Sequence, residues 1–214
     1  RRQRQMCIRD RGTAAQSENT DQKQTDGDRT DTAEADVTEE ALQDNENTEK
    51  SSKVLVAYYS ATGNTKAAAE TIADAAGGEL FELQPAEAYT TEDLDYNDPE
   101  SRVCKEHEDP DLQDVKLEEV TPESFSNANV VFLGYPIWWG EAAWPVNEFV
   151  KENDFTGKTV IPFCTSASSS LGDSGENLAE MVGTGEWQEG KRFSSGAAEE
   201  EIRNWVESLD LSAK

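Results

Sequence analysis

The sequence predicts an α/β fold in which helices cover both faces of a parallel β-sheet. Apolar runs of strand length at 53–59, 79–83, 130–133 and 159–163 alternate with segments of helical periodicity. Continuous apolar runs such as 130–133 are typical of strands buried on both faces, as in parallel sheets. Distinctive polar or aromatic segments follow three of these strands, at the edge where an open α/β sheet binds its ligands.

The helices between the strands are predicted from periodicity and from breaker residues. They are expected at 64–76, about 143–152, about 174–182 and 196–209. The last segment carries an amphipathic stripe formed by Ile202, Trp205, Val206 and Leu209. A weaker fifth strand is expected from Trp187 to Phe193.

The segment 85–128 is too long for a simple crossover between two strands. It contains the helix-breaking run 95–99 and many acidic residues. Long connections in compact domains usually have a function or are mobile. We therefore expect an excursion near the ligand edge of the sheet, with a short helix around 99–108.

Composition divides the chain into a tail and one domain. Residues 1–52 have almost no apolar clusters, which predicts a disordered acidic tail ahead of a domain at 53–214. The tail holds 8 Lys and Arg against 13 Asp and Glu, which leaves 11 against 32 for residues 53–214. The basic residues 1–11 end abruptly at an acidic, low-complexity stretch and are interpreted as a non-native artefact.

The strong acidity argues against nucleic-acid binding and fits protein partners with a basic docking face. A salt-rich habitat or simple solubility would explain the acidity equally well. No apolar segment approaches the length of a membrane span. Two locations are expected: the cytoplasm, or outside it with a tether supplied by a missing N-terminal signal. The oligomeric state is left open.

The cysteines and the single histidine predict no metal centre. Cys7, Cys104 and Cys164 lack metal-ligand spacing, and Cys164 ends an apolar run as a small buried residue would. His107 stands in an acidic stretch and is interpreted as part of a solvated loop. Tyr96, Asp98 and Glu141 are polar candidates near the ligand edge, but no catalytic residue is assigned.

A phosphate-binding loop is predicted where the first strand ends. Ser60, Thr62, Gly63, Asn64 and Thr65 pass directly into a helix, and helix N-termini favour anions. The segment contains neither a Walker loop nor a dinucleotide fingerprint. The only nearby cation is Lys66, so the phosphate would be held by neutral donors. An ordinary strand–loop–helix turn with polar caps is the alternative.

The segments after the third and fourth strands are predicted to hold a planar ring. Tyr135, Trp138 and Trp139 offer flat faces for stacking, and Gly134 and Gly140 would let the backbone approach closely. Core packing by one Trp is the alternative. The loop at 164–172 is rich in small hydroxyl residues, which could equally form a plain flexible loop.

Taken together, these motifs resemble a branch of the flavodoxin-like family, in which the sequence found here at 134–140 comes after the third strand. The resemblance covers roughly 53–194 and includes 94–99 and 162–166. It implies a three-layer sandwich with a five-stranded parallel sheet of order 2-1-3-4-5 and an FMN cofactor. Relatives tend to have glycines where Ala167 and Ser168 stand, and a larger apolar residue at Ala57.

The resemblance also implies which residues hold FMN. The phosphate would lie on 60–65, and the isoalloxazine between 136–140 and 165–170. The implied ring contacts are Pro136, Ile137, Trp138, Trp139, Gly140, Thr165, Ser166, Ala167, Ser168 and Ser169.

These features lead to three functional hypotheses. The first is a flavodoxin-type electron carrier, because an acidic surface disfavours the fully reduced, anionic flavin. The second is an NAD(P)H-dependent quinone or flavin reductase, with the excursion shaping a substrate pocket. The third is a flavin-free interaction domain, against which the loop 60–65 argues.

Overall fold

A parallel sheet lies between two layers of helices in the computed structural model, which describes residues 53–211. The predicted tail at 1–52 lies outside the described residues. The strands are β1 (Val54–Tyr58), β2 (Glu79–Glu82), β3 (Val130–Trp138), β4 (Glu141–Ala142), β5 (Thr159–Ser166), β6 (Glu186–Trp187) and β7 (Lys191–Ser194). The helices are α1 (Asn64–Ala76), α2 (Arg102–Glu108), α3 (Pro145–Glu152), α4 (Ser174–Val182) and α5 (Glu199–Ser208).

The two faces of the sheet bury separate apolar cores. Side chains alternate along each strand, so Val131 and Leu133 face one side while Val130 and Phe132 face the other. Helices α3 and α4 pack on the first face, and α1 and α5 pack on the second. The stripe predicted on the last helix contributes to the second core, where Ile202 and Val206 are buried.

The predicted strand order is confirmed. Strand β1 lies between β2 and β3, and β3 lies between β1 and β5, with all these pairs parallel. Strands β6 and β7 both pair with β5 in parallel and together occupy the fifth position. The antiparallel strand β4 pairs with the end of β3 and is an addition to the predicted sheet.

The fifth strand is divided into β6 and β7 at the level of Pro162, which belongs to the neighbouring strand β5. Val160 O accepts a hydrogen bond from Gln188 N at 2.8 Å. The backbone N–H and C=O groups of every second residue of β5, counted from Val160, therefore point toward the fifth strand. Pro162 is the next residue on that side, and it has no N–H to donate. The chain passes this gap through Gly190, where an added Cβ would lie 2.6 Å from Pro162 O.

The excursion connects β2 with β3 and includes the predicted short helix, α2. Two 3₁₀ turns come after it, at Pro110–Gln113 and Glu123–Asn127. An isolated bridge between Pro85 and Leu117 closes the excursion near its ends. None of the helices within 53–211 has the length and apolar content that a membrane span requires.

The third strand is longer than the predicted 130–133 and includes most of the segment 134–140. Strand β3 continues through Trp138 and turns into β4, with Trp138 opposite Glu141. The turn consists only of Trp139 and Gly140, whose φ angles are 47° and 87°. Positive φ at both central residues is the conformation of a type I′ hairpin turn. Similarly, residues 164–166 belong to β5, and the loop after it begins at Ala167.

Gly134 is required by packing rather than by a ligand. It lies within β3, opposite Phe163 of β5, and an added Cβ would lie 2.2 Å from Phe163 Cζ. The expected close approach of a ligand at Gly134 is therefore wrong, because the ring of Phe163 fills that space. Gly140 has open space around it and is needed for its positive φ.

We expect Gly134→Ala to lower the free energy of unfolding by about 1–3 kcal/mol, because overpacking forces Phe163 or a strand to shift. Denaturant titration measures this change. The matched test combines Gly134→Ala with Phe163→Leu, which removes the aromatic ring that the added Cβ would contact. The double variant should lose less stability than the sum of the single variants, and strict additivity would contradict the proposed clash.

Candidate functional site

Three segments meet at one edge of the sheet, as the sequence predicts. Tyr59 N donates to Gly134 O at 2.9 Å, which joins the end of β1 to the middle of β3. Pro136 lies opposite Thr165 where β3 and β5 end. The hydroxyls of Thr65 and Thr165 are 2.8 Å apart, which connects the start of α1 to the end of β5.

The first segment, 60–65, has the geometry of an anion-binding loop. Ser60 Oγ accepts hydrogen bonds from Gly63 N at 3.1 Å and Lys66 N at 3.2 Å. Gly63 has a φ of 86° and directs the chain into α1. The first N–H groups of a helix have no intrahelical acceptor, so those of Asn64 and Thr65 are suited to a bound anion. Asn64 Nδ2 also donates to Thr62 Oγ1 at 3.0 Å.

The loop 60–65 contains no charged side chain. Lys66, which follows it directly, forms an ion pair with Glu82. Lys66 Nζ lies 3.1 Å from Glu82 Oε2, which also accepts a hydrogen bond from Tyr58 OH at 3.3 Å. Phosphate binding by neutral donors therefore stays a prediction, with Lys66 engaged by Glu82. The donor set consists of hydroxyls, one amide and backbone N–H groups.

The segment after β5 is fixed by Arg192. The guanidinium donates to Ser166 Oγ at 3.0 Å, Ser166 O at 3.0 Å and Ala167 O at 3.2 Å. The Ser166 hydroxyl in turn donates to Ser169 O. Thr165 and Ser166 are buried, whereas Ala167, Ser168 and Ser169 are exposed at the edge of the site.

The aromatic turn is the third segment. Pro136, Ile137 and Trp138 are half-buried, whereas Trp139 is 44% exposed and Gly140 is exposed. The ring of Trp138 packs edge-on against Tyr59, with centroids 5.7 Å apart. Trp138 therefore forms part of a protein wall, and Trp139 is the member of the pair with free surface.

Tyr135 does not contribute a stacking surface. It is fully buried, and its hydroxyl lies 3.1 Å from Ser174 Oγ. Burial raises its pKa, so the phenol stays neutral at physiological pH. The Cys164 thiol is likewise neutral, because burial raises its pKa to about 12. Its predicted role as a small buried residue agrees with this environment.

The excursion adds His107, which the sequence interpretation assigned to a solvated loop. His107 is exposed but lies on α2, and its imidazole stacks on Trp139 with centroids 4.3 Å apart and planes 10° apart. The ring of Trp139 also stacks on Trp144, with centroids 6.0 Å apart and planes 16° apart. No sequence signal links His107 to Trp139, because only the path of the excursion brings them together.

Glu106 is a second site residue that sequence reasoning missed. It is 4% exposed and accepts hydrogen bonds from Tyr89, Arg102 and Trp144. The pKa of Tyr89 is raised by burial and by this hydrogen bond. The surrounding acidic run hides Glu106 in the sequence, since its neighbours are mostly solvated carboxylates.

The three polar candidates have local structural roles or no visible role. Asp98 Oδ1 accepts from Glu100 N at 2.9 Å, which stabilises a turn. Tyr96 is 73% exposed, and Glu141 pairs in register with Trp138 in the hairpin. These positions support no catalytic assignment.

The donors and surfaces together fit a ligand with a phosphate at one end and a planar ring at the other. The neutral loop 60–65 suits the phosphate, and the aromatic turn with the segment 165–169 suits the ring. The bond between Thr65 and Thr165 fixes the distance between the two halves.

Comparisons with known proteins identify the family of this chain. The family model described as Flavodoxin matches residues 53–209. A candidate flavoprotein from Bacteroides eggerthii is 41% identical over 73% of this chain and 96% of its own, with a TM-score of 0.66. A second candidate flavoprotein, from Bacteroides uniformis, is 38% identical over 73% of this chain and 99% of its own, with a TM-score of 0.67.

A flavoprotein from Lactobacillus acidophilus, solved in complex with FMN, is 20% identical over 72% of this chain and 98% of its own, with a TM-score of 0.48. No curated protein sequence matches this chain.

We expect Thr65→Val to lower the free energy of unfolding by about 1–3 kcal/mol, because it leaves the buried Thr165 hydroxyl without its partner. The double variant with Thr165→Val removes both hydroxyls and should recover part of the loss. Denaturant titration of the two single variants and the double variant gives the coupling energy. A coupling near zero would mean that the hydroxyl pair does not hold the two segments together.

Proposed function

Because this chain belongs to the flavodoxin family, we propose that it binds FMN and transfers electrons between protein partners one at a time. FMN supplies the redox chemistry, and the protein binds the cofactor, orients it and adjusts its electrostatic environment. The single observation that carries the proposal is the neutral anion loop at 60–65, joined to the ring side of the site by Thr65 and Thr165.

The loop supports FMN over ligands that need positive charge. Ser60 Oγ accepts two backbone N–H groups, so its own hydroxyl hydrogen is available for a phosphate oxygen. The α1 N-terminus adds a favourable dipole. The ring side offers the exposed part of Trp139 and the backbone of 167–169, where Ala167 O accepts a hydrogen bond from Arg192.

The charge of the domain supports transfer of single electrons. Residues 53–214 carry 11 Lys and Arg against 32 Asp and Glu. A negative surface raises the free energy of any further negative charge on a bound ring, which disfavours uptake of the second electron. The same charge favours docking of a basic redox partner and makes the association rate depend on salt.

The second candidate is an NAD(P)H-dependent quinone or flavin reductase, and the position of α2 favours it. The helix places His107 against Trp139, so the excursion forms a wall beside the aromatic turn. Such a wall can shape a pocket for a small substrate over the ring. A flavin-free interaction domain is the third candidate, and the donor geometry of 60–65 argues against it.

Stepwise anaerobic photoreduction of the full chain with FMN tests the proposal. A one-electron carrier should accumulate a half-reduced state with its own visible spectrum, distinct from the oxidised and fully reduced forms. Direct passage from oxidised to fully reduced bound flavin would instead favour the reductase. Absence of bound flavin would refute both redox functions.

We expect Thr62→Ala to raise the Kd for FMN about tenfold or more, because a hydrogen bond to a charged group is lost. Riboflavin lacks the phosphate, so its Kd should change little. Thr91→Ala replaces an exposed hydroxyl in a turn of the excursion and is the matched control. Equal losses for FMN and riboflavin would contradict a phosphate contact at Thr62.

A further inference from the structure

One buried carboxylate joins three segments of the chain beside the aromatic turn. Glu106 Oε2 accepts hydrogen bonds from Tyr89 OH at 2.6 Å and Trp144 Nε1 at 2.7 Å, while Oε1 accepts from Arg102 Nε at 2.7 Å. Tyr89 lies at the start of the excursion, Arg102 and Glu106 on α2, and Trp144 just before α3. The carboxylate is therefore fully engaged by its neighbours.

The two aromatic partners of Glu106 support the turn itself. Trp138 packs edge-on against Tyr89 at 5.5 Å and against Trp144 at 4.9 Å. Trp139 stacks on Trp144 at 6.0 Å. A shift of Tyr89 would thus disturb Trp138, and a shift of Trp144 would disturb both tryptophans of the turn.

We propose that Glu106 is a positioning residue that sets the orientation of the ring-binding wall formed by Trp138 and Trp139. Where it concerns flavin, the inference rests on the proposed function. Glu106 acts through Tyr89 and Trp144, which have fixed positions only while the carboxylate accepts their hydrogen bonds. It thereby makes the excursion part of the site.

A carboxylate is suited to this role because one group satisfies three donors. A buried N–H or O–H without an acceptor is costly, so Tyr89 and Trp144 stay where Glu106 holds them. The charge is balanced by Arg102, which also lies over the ring of Tyr89 at 4.1 Å. Glu106 and His107 are adjacent on α2, so the same anchor sets the helix that places His107 on Trp139.

A second buried carboxylate provides a matched control. Glu148 on α3 is 8% exposed, accepts a hydrogen bond from Leu117 N and pairs with Lys116. It therefore anchors the far end of the same excursion. No aromatic residue of the turn depends on it through a hydrogen bond in the described part of the chain.

The test compares Glu106→Leu, Glu106→Gln, Trp144→Phe and Glu148→Gln in the full chain. The leucine variant removes every acceptor, and the glutamine variant can keep its amide oxygen toward Tyr89 and Trp144 while losing the ion pair. The phenylalanine variant removes the indole N–H together with the five-membered ring of the indole, and it keeps an aromatic ring at this position. The readouts are near-UV circular dichroism without flavin, the visible spectrum of bound flavin, and the Kd values for FMN and riboflavin.

We expect Glu106→Leu to change the near-UV spectrum and to raise the Kd for both flavins about tenfold, because the ring contacts are disturbed while the phosphate loop is intact. Trp144→Phe should likewise change the near-UV spectrum and raise the Kd values for both flavins. Glu106→Gln should retain the flavin spectrum and most of the affinity despite a lower melting temperature. Glu148→Gln should lower only the melting temperature.

Other outcomes would overturn the inference. If the leucine and glutamine variants behave alike, the ion pair rather than the aromatic hydrogen bonds determines the effect. If Glu148→Gln changes the flavin spectrum as much as Glu106→Leu, the role of Glu106 is general stability. If no variant and no unmodified protein binds FMN, the proposed function fails, and the near-UV comparison still decides the positioning role.

Discussion

The pairing of β3 with β1 on one side and β5 on the other is the constraint on which the site depends. Residues 130–135 of β3 are buried, and parallel register extends on both sides up to Gly134 and Pro136. Because the three strands run in the same direction, the segments after them emerge at one edge. The absence of a side chain at Gly134 leaves room for the ring of Phe163 on β5.

The aromatic turn is built on this frame but is held by residues from elsewhere in the chain. Extension of β3 through Trp138 places Trp139 in a left-handed conformation, which is unfavourable for a bulky residue. Stacking on Trp144 and His107 offsets part of that cost. The excursion is thus a structural component of the site, since it supplies both His107 and the acceptor for Trp144.

The distribution of charge explains the neutral character of the anion loop. Three cations of the domain are engaged within the fold. Lys66 pairs with Glu82, Arg192 donates to the carbonyls of 166–167, and Lys158 donates to the carbonyls of Phe125 and Ala128. The Lys158 pKa is lowered by burial. A phosphate at 60–65 would therefore meet hydroxyls and backbone N–H groups, while the surface stays acidic.

The resemblance to a known family implied the sheet order, whereas the sequence by itself determined the helices and the edge at which the three segments meet. These features depend on local periodicity and on the chemistry of short motifs, which is why α1 and α4 begin and end where periodicity predicts. Only the tertiary structure decided that Gly134 serves packing, that the aromatic segment is a hairpin, and that Glu106 and His107 belong to the site. Those features depend on contacts between residues distant in sequence, such as Glu106 with Trp144, which no local pattern encodes.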